Sequence, residues 1–299
     1  MAPAFSVIIP THERPAELSL CLAALSRLDY PREQFEVIVV NDGGRAIDDA
    51  VAPFVGQMNV LQVTQEHSGP AAARNSGAVR AQGRYIAFTD DDCRPDRAWL
   101  MELERRLATD ESIMVGGRII NTLEDNACSV TSQLLVTYLF AYYNANREQA
   151  FFFTSNNMTI AREAFLAIGG FNSQYRTAED RELCDRWTHS GLRMVYAENA
   201  LVRHSHRLSL RSFCRQQFQY GQGALRYRRA RAQRDDGRLR FEPLRFYTGL
   251  LRYPWTAGVR RPLRIAALVF IAQVATAMGF FLGSGTPSAF VKAEMKPPC

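Results

Sequence analysis

Four short, continuous apolar runs alternate with segments of helical periodicity, and this alternation constrains most strongly what the chain can fold into. The runs cover Phe5–Ile9, Phe35–Val40, Asn59–Val63 and Tyr85–Thr89. Unbroken apolar strands between helices are typical of a parallel sheet that is buried on both faces. At 299 residues the chain is long enough to bury a large core. The pattern therefore predicts an α/β fold, an open and mostly parallel sheet with helices on both faces.

Three helices are predicted between and after these strands. Leucines and a cysteine recur at helical spacing from Leu18 to Leu28, after a proline at position 15 that suits a first helical turn. The other two helices cover Ala71–Gln82 and Arg97–Leu107. Sheets of this kind bind ligands beyond the carboxyl ends of their strands, so we expect a functional site there.

Polar residues follow three of the four strands. The first strand ends in Pro10-Thr11-His12-Glu13-Arg14, the second in Asn41-Asp42-Gly43-Gly44 and the fourth in Asp90-Asp91-Asp92. Neither G-x-G-x-x-G after the first strand nor G-x-x-x-x-G-K-[ST] is present, which argues against a dinucleotide site and a P-loop. Any nucleotide must therefore be bound by residues other than a glycine-rich phosphate-binding loop.

Three adjacent carboxylates repel one another, so the run Asp90–Asp92 suggests a bound cation. If the chain stays extended there, Asp90 and Asp92 point to the same side and offer two oxygen ligands that suit Mg²⁺ or Mn²⁺. The alternative is an Asp-rich turn without a metal. Asp42, which precedes two glycines, has a similar alternative as a simple turn former.

The positive charge is concentrated near the carboxyl end of the chain. The stretch Arg203–Arg264 has sixteen arginines, no lysine and three acidic residues, a net charge of +13, whereas the rest of the chain carries −7. These arginines form either a solvated helix face or a surface for anionic lipid head groups. A membrane partner is favoured over nucleic acid because an uncharged run, Ile265–Val291, follows directly.

The core of that run, Ile265–Gly283, would form a helix of about 28 Å, against roughly 30 Å of bilayer hydrocarbon. A spanning helix, an in-plane or re-entrant membrane segment and a buried helix of a soluble domain all remain open. Arginines directly before the run predict that the large body stays in the cytoplasm. Six cysteines without any C-x-x-C pair also indicate a reducing compartment. We expect a location on the cytoplasmic face of the cell membrane, peripheral or single-span.

Six ordered blocks resemble the family-two glycosyltransferases over about residues 4–225. They are F-S-V-I-I-P-T-H-E-R, V-I-V-V-N-D-G-G, G-P-A-A-A-R-N-S-G, F-T-D-D-D-C, S-N-N-M followed by G-G-F-N, and A-E-D-R-E-L. The resemblance implies the glycosyltransferase-A fold, a nucleotide-sugar donor that is commonly a UDP-sugar, and a divalent metal, Mn²⁺ or Mg²⁺. It also implies transfer with inversion at the anomeric carbon. The chain departs from processive members, which carry Q-x-x-R-W where FQYGQGALRY stands here.

The resemblance also implies roles for individual residues. Asp180 matches the general base and Glu179 its neighbour on the acceptor side, while Asp90 and Asp92 are the acids of the D-x-D motif. His204 lies where some relatives place a histidine near the diphosphate or metal, and a surface histidine is the alternative. The implied metal ligands are Asp92, Asp90 and His204. The implied donor-binding residues are Pro10, Thr11, Arg14, Asp42, Arg74, Asn75, Asp90 and Asp91.

These expectations predict a catalytic domain at residues 1–225, an arginine-rich linker at 226–264 and a hydrophobic membrane segment with its tail at 265–299. The predicted function is synthesis of a surface glycan, polysaccharide or glycolipid on a glycan or lipid-linked acceptor, one sugar per encounter. Two alternatives stay open: a non-catalytic relative that binds nucleotide-sugars, and a sugar-1-phosphate nucleotidyltransferase.

Overall fold

The fold is an eight-stranded sheet with helices on both faces, seen in a computed structural model that describes residues 2–282. The strand order is β3-β2-β1-β4-β7-β6-β8-β5. The strands are β1 (Phe5–Thr11), β2 (Phe35–Asn41), β3 (Asn59–Thr64), β4 (Tyr85–Phe88), β5 (Cys93–Pro95), β6 (Met114–Asn121), β7 (Met158–Ala161) and β8 (Met194–His204).

Helices connect the strands, and three more follow the last strand. They are α1 (Pro15–Leu25), α2 (Asp48–Val51), α3 (Pro70–Arg80), α4 (Trp99–Leu107), α5 (Ala127–Tyr143), α6 (Arg162–Ala167), α7 (Glu179–His189), α8 (Leu210–Arg234), α9 (Leu244–Thr256) and α10 (Pro262–Leu282). Short 3-10 turns cover Arg32–Gln34, Ala52–Phe54 and Ser155–Asn157.

The first half of the sheet confirms the predicted α/β architecture. β1 pairs in parallel with both β2 and β4, and β2 pairs in parallel with β3. Every residue of β2 and β4 is buried, which explains their unbroken apolar runs. One core cluster includes Leu18 and Trp99 on one face, and a second includes Phe165 and Trp187 on the other.

The second half brings in antiparallel strands, which the apolar runs alone did not indicate. β7 pairs antiparallel with β4 and β6, and the three-residue β5 pairs antiparallel with β8. In that last pairing Cys93 lies opposite His204. A residue more than a hundred positions away is thereby placed beside the acidic run that ends at Asp92.

The Asp90–Asp92 run forms a turn, so the extended conformation that would point Asp90 and Asp92 to the same side is not the one adopted. The chain turns between β4 and β5, and the Cys93 amide donates to the Asp90 carbonyl over 3.1 Å. The reason is topological, since β5 lies at the far edge of the sheet from β4 and the chain must change direction to reach it. The carboxylates of Asp90 and Asp92 therefore point to different partners.

Helix α8 is 25 residues long and begins at a capping box formed by Ser209 and Ser212. It continues without a break through residue 225, where the predicted catalytic domain was expected to end. α10 packs against α8 so closely that a Cβ on Gly221 would collide with the Thr276 carbonyl, and one on Gly279 with the Phe218 carbonyl. The tail from residue 283 onward, and with it the end of the predicted membrane segment, lies outside the described residues.

Many arginines of the basic stretch are paired with acids of the folded body. Arg234 pairs with Glu182 and, at 2.6 Å, with Asp185, which ties the end of α8 to α7. Arg228 pairs with Glu242 before α9. Among the described residues, the other eleven of the sixteen arginines form no ion pair, and the solvated-face and lipid interpretations apply to these; five of the eleven lie around α9 and the start of α10.

Candidate active site

A cleft of about 560 Å³ opens at the carboxyl ends of β1, β2 and β4. This is the edge at which the sequence predicted a site. The structure brings together in its walls eleven of the twelve residues expected there: Pro10, Thr11, Arg14, Asp42, Arg74, Asp90, Asp91, Asp92, Glu179, Asp180 and His204. Asn75 is the exception.

Arg14 and Thr11, at the end of β1, hold the middle of the acidic turn. Arg14 Nη1 donates to Asp91 Oδ1 over 2.7 Å and to Asp92 Oδ2 over 3.0 Å. Thr11 Oγ1 donates to Asp91 Oδ2 over 2.8 Å. Burial raises the pKa of Asp91 to about 6, although Arg14 and Thr11 oppose that rise. Asp91 thus has both carboxylate oxygens occupied by protein donors.

Asp92 and His204 meet across the β5–β8 pair. His204 Nε2 lies 3.1 Å from Asp92 Oδ1, and both side chains are largely buried. Burial opposes each charge, but the mutual contact outweighs it, so the pKa of Asp92 is lowered and that of His204 is raised. Burial lowers the pKa of the neighbouring His206, which also lines the cleft.

The Asp92 and His204 donor atoms fit a divalent metal ion. Together with Cys93 Sγ they lie within 4.8 Å of one another, and oxygen and nitrogen ligands suit Mn²⁺. Burial raises the pKa of the Cys93 thiol well above its usual value, and soft sulfur ligands do not suit Mn²⁺ or Mg²⁺, so Asp92 and His204 are the better-suited pair. Asp90 is not in this group, because its carboxylate is directed to Arg74.

Arg74, on α3, links two acids from different parts of the fold. Its Nη2 donates to Asp90 Oδ1 over 2.6 Å and its Nη1 to Glu179 Oε1 over 3.0 Å. The guanidinium is buried and lies over the ring of Phe171, 5.6 Å from the ring centre. It therefore joins the acidic turn after β4 to the first residue of α7.

Asn75 turns away from the cleft. Its Nδ2 donates to the Phe171 carbonyl over 2.7 Å, and its Oδ1 accepts from the Phe171 amide over 2.9 Å. The turn that it holds contains Gly169 and Gly170, both with positive φ. The structure therefore gives the Asn75 side chain a contact with the backbone, and the predicted donor contact stays untested.

Glu179 and Asp180 are the first two residues of α7, and both line the cleft. The chain enters this helix through Ala178, which has a left-handed backbone with φ of 66°. Burial and then the neighbouring Asp180 carboxylate raise the pKa of Glu179 to about 7. Burial also raises the pKa of Asp180, against the amide of Arg181 and the charge of Arg74. Two buried carboxyls with raised pKa values at the cleft wall are suited to proton transfer.

Asp42 is buried under the loop that follows β3. Its Oδ1 accepts from Gln65 Nε2 at 2.7 Å and from the Ser68 amide at 2.9 Å, while its Oδ2 accepts from the Gly69 amide at 2.8 Å. His67 Nδ1 lies 3.0 Å from the same oxygen. This carboxylate therefore holds the loop after β3 in place at the cleft wall.

Several cleft residues were missed by sequence reasoning. The rings of His12 and His67 lie beside Asp42, tilted by 31° to each other with their centres 4.2 Å apart. One face of α8 contributes Gln216, Gln219, Tyr220 and Ala224. The helical spacing of these four residues is a signal that could have found that face. No comparable signal links the histidines, which meet only in three dimensions.

Seven aromatic residues lie between Tyr138 and Phe153, and most of them are buried or partly buried. Phe153 is fully buried, and Tyr138 and Tyr142 surround Phe246 of α9. Within the described residues, Phe152 is the member of this stretch that lines the cleft. Most of these rings therefore pack against other side chains of the protein.

Comparisons with known proteins show which protein family and which fold this chain resembles. The profile of glycosyl transferase family 2 matches residues 6–169. The pre-mycofactocin glycosyltransferase of Mycobacterium tuberculosis is 29% identical over 225 residues, which cover 73% of this chain and 46% of that protein. The glycosyltransferase AglE of Haloferax volcanii is 25% identical over 230 residues, covering 75% of this chain and 73% of AglE. The chain thus spans about half the length of the first relative.

Two solved structures share the fold. The mannosyltransferase PcManGT from Pyrobaculum calidifontis, in complex with GDP-Man and Mn²⁺, superposes with a TM-score of 0.65 at 19% identity, over 92% of this chain and 87% of that one. Staphylococcus aureus TarS 1-349, in complex with UDP-GlcNAc, superposes with a TM-score of 0.53 at 15% identity, over 92% and 89%. These likenesses confirm the glycosyltransferase-A fold.

Proposed function

We propose that this chain, which belongs to glycosyl transferase family 2, transfers a sugar from a nucleotide-sugar to an acceptor hydroxyl with inversion in a single displacement. The observation that carries the proposal is the shared cleft of Asp92 and Asp180. The two residues are 88 positions apart in sequence, yet they line the same space. The cleft thus contains a candidate ligand for a metal ion at the leaving group, Asp92, and a candidate base for the acceptor hydroxyl, Asp180.

The leaving group of this reaction is a nucleoside diphosphate. Asp92 and His204 would hold a divalent ion, Mn²⁺ or Mg²⁺. When bound, that ion would neutralise the negative charge that develops on the diphosphate. Asp90 stays with Arg74 in this arrangement, so we assign it a supporting position. Arg14 lies over the acidic turn and is partly exposed, where it can also face the diphosphate.

The acceptor hydroxyl needs a base, because it is a weak nucleophile at neutral pH. We assign that role to Asp180, with Glu179 beside it on the acceptor side. Both carboxyls line the cleft and have raised pKa values. A positioned carboxylate contributes about 10²–10⁴ to the rate.

The proposed donor is a UDP-sugar, and the panel of donors must include GDP-sugars because PcManGT was solved with GDP-Man. The proposed acceptor is a glycan or lipid-linked saccharide at the cytoplasmic face of the cell membrane. An apolar part of the cleft wall, formed by Ile119, Val136 and Leu139, supports an acceptor with an apolar portion. Helix α10 supports the membrane location, since Arg264 is its single charged residue and by length and composition it is apolar enough to cross a bilayer.

The test measures release of nucleoside diphosphate from a panel of UDP- and GDP-sugars by protein purified in detergent, with Mn²⁺ and after chelation. Asp180→Asn is expected to lower turnover by about 10²–10⁴ while the donor still binds. Asp185→Asn is the matched control, because Asp185 lies on the same helix outside the cleft and pairs with Arg234.

Two outcomes would contradict the proposal. Release that is unchanged after chelation would remove the metal assignment. Donor binding without turnover for every sugar and acceptor would favour the non-catalytic alternative, and formation of a nucleotide-sugar from a sugar-1-phosphate would favour the nucleotidyltransferase.

A further inference from the structure

We propose that α9 and α10 dock the protein in the plane of an anionic phospholipid membrane, with α10 lying along the bilayer surface and not crossing it. This inference deepens the membrane location in the proposed function. It rests on the packing and surface of the two helices and does not depend on the transfer chemistry.

The inner face of α10 is already used by the protein. Ile265, Val269 and Ala272 are buried in a cluster with Phe213 of α8. Further along, Gly279 lies against the backbone of Phe218. α10 is thus attached to α8 over most of its length.

α8 cannot follow α10 into a bilayer. The turns of α8 beside this contact carry Arg215, Gln216 and Gln219, and the two glutamines line the cleft. A charged arginine within the hydrocarbon is strongly disfavoured, and a cleft for a nucleotide must stay open to water. A spanning α10 would therefore have to leave α8, whereas an in-plane α10 keeps the observed packing.

The outer faces of both helices are apolar and exposed. On α9, Leu244, Leu251 and Trp255 recur at helical spacing, and Trp255 is 50% exposed. Leu263 is 76% exposed at the start of α10. The outer face of α10 continues with Phe270, Ile271, Val274 and Met278. An exposed apolar stripe with a tryptophan at its edge is typical of helices that lie in the membrane interface.

Arginines border this apolar surface. Arg245 and Arg252 lie on α9, and Arg260, Arg261 and Arg264 lie at the junction of the two helices. None of the five has an ion pair with any residue in the described range 2–282, and all five are exposed. Residues 243–282 contain no acidic side chain. The complementary partner is therefore a surface that is both negative and apolar, which describes anionic phospholipid.

The natural tryptophans provide a depth probe. Trp99 and Trp187 are fully buried, so quenching by brominated lipid reports on Trp255. The experiment uses the full chain, without donor or acceptor, and compares vesicles of phosphatidylglycerol with vesicles of phosphatidylcholine. We expect binding to the anionic vesicles, and quenching of Trp255 by bromine placed high on the acyl chain.

A second variant separates an in-plane helix from a spanning one. In Trp255→Phe/Val274→Trp the indole stands at an exposed position near the middle of α10. If α10 lies in the plane, this indole is quenched by the same shallow bromines as Trp255. Strongest quenching by bromine at the bilayer centre would overturn the proposal.

The charge requirement is tested by Arg252→Gln/Arg260→Gln. Each arginine near an anionic surface contributes about 5-fold to binding, so this variant should bind phosphatidylglycerol vesicles about 25-fold more weakly. The control Arg27→Gln/Arg80→Gln removes the same charge from exposed positions on the body and should bind as the unaltered protein does.

Other outcomes also count against the proposal. Absence of binding to both kinds of vesicle would overturn it, and so would self-association of the chain that occludes Trp255 without vesicle binding. Because vesicle binding is measured without substrates, a protein that binds lipid but shows no transfer would contradict the proposed function and leave this inference intact.

Discussion

Arg74 Nη1 donates a 3.0 Å hydrogen bond to Glu179 Oε1, across 105 positions of sequence, while Nη2 of the same guanidinium binds Asp90. The side chains of Arg74 and Glu179 are both about nine-tenths buried or more. This pair joins the acidic turn of the sheet to the helix that carries Asp180. The two halves of the cleft are thus held together by one buried cation.

Removal of that cation should be costly. Arg74→Met leaves two carboxylates without their partner, and breaking a buried pair costs about 3–5 kcal/mol of the free energy of unfolding. The double variant Arg74→Met/Glu179→Gln should recover part of that loss, because one unpaired charge is gone. Urea denaturation of the four proteins in the cycle measures the coupling. Additive losses would show that the pair contributes no coupling energy.

The acid limb of the pH profile of sugar transfer should shift when Glu179 is replaced. Burial and the Asp180 carboxylate raise the pKa of Glu179 to about 7, and the two groups titrate as a pair. Glu179→Gln removes a negative charge beside Asp180, so the pKa of Asp180 falls and the acid limb of kcat/KM moves to lower pH. A pH profile of transfer measures the limb. A shift to higher pH would contradict the expected charge effect.

Metal dependence should follow His204 and not Cys93. His204→Ala removes one of the two donors that fit the ion, so the Mn²⁺ concentration for half-maximal activity should rise at least about 10-fold. Cys93→Ala is the control, because the sulfur of this buried cysteine is a soft ligand that does not suit Mn²⁺. Titration of activity with Mn²⁺ compares the two variants. Equal rises in both would argue for cysteine ligation.

Asn75 should matter for stability more than for donor affinity. Asn75→Ala leaves the Phe171 amide and carbonyl without their partners, at a cost of about 2 kcal/mol in the free energy of unfolding. Asn146→Ala, which removes an exposed turn contact, is the control and should cost little. Thermal unfolding and donor binding are measured on the same samples. A large loss of donor affinity with unchanged stability would restore the predicted donor contact.

The predictable part of the fold is the part with local signals. Buried parallel strands such as β1 and β2 can be recognised in the sequence as apolar runs. β5 has only three residues, and its pairing with β8 depends on a contact across more than a hundred positions. The turn at Asp90–Asp92 leads the chain into that pairing, and the local sequence left open whether these residues are extended or form a turn.

In the site, too, local motifs identify some residues, whereas other contacts depend on the three-dimensional fold. Motifs identified Asp92, Glu179 and Asp180 as cleft residues, and the cleft contains all three. Sequence could not show that Arg74 binds two acids, because Asp90 and Glu179 approach it from different elements. His67 was also missed, since its position beside Asp42 depends on the loop after β3.

The glycine crossing of α8 and α10 has a mechanical consequence. Because the two backbones meet at Gly221 and Gly279 with no side chain between them, α10 cannot swing while α8 stays still. α8 also carries Tyr220 in the cleft wall. A membrane bound through the outer face of α10 would thus lie at a set distance from the cleft. That distance would determine how far an acceptor must extend from its lipid anchor to reach Asp180.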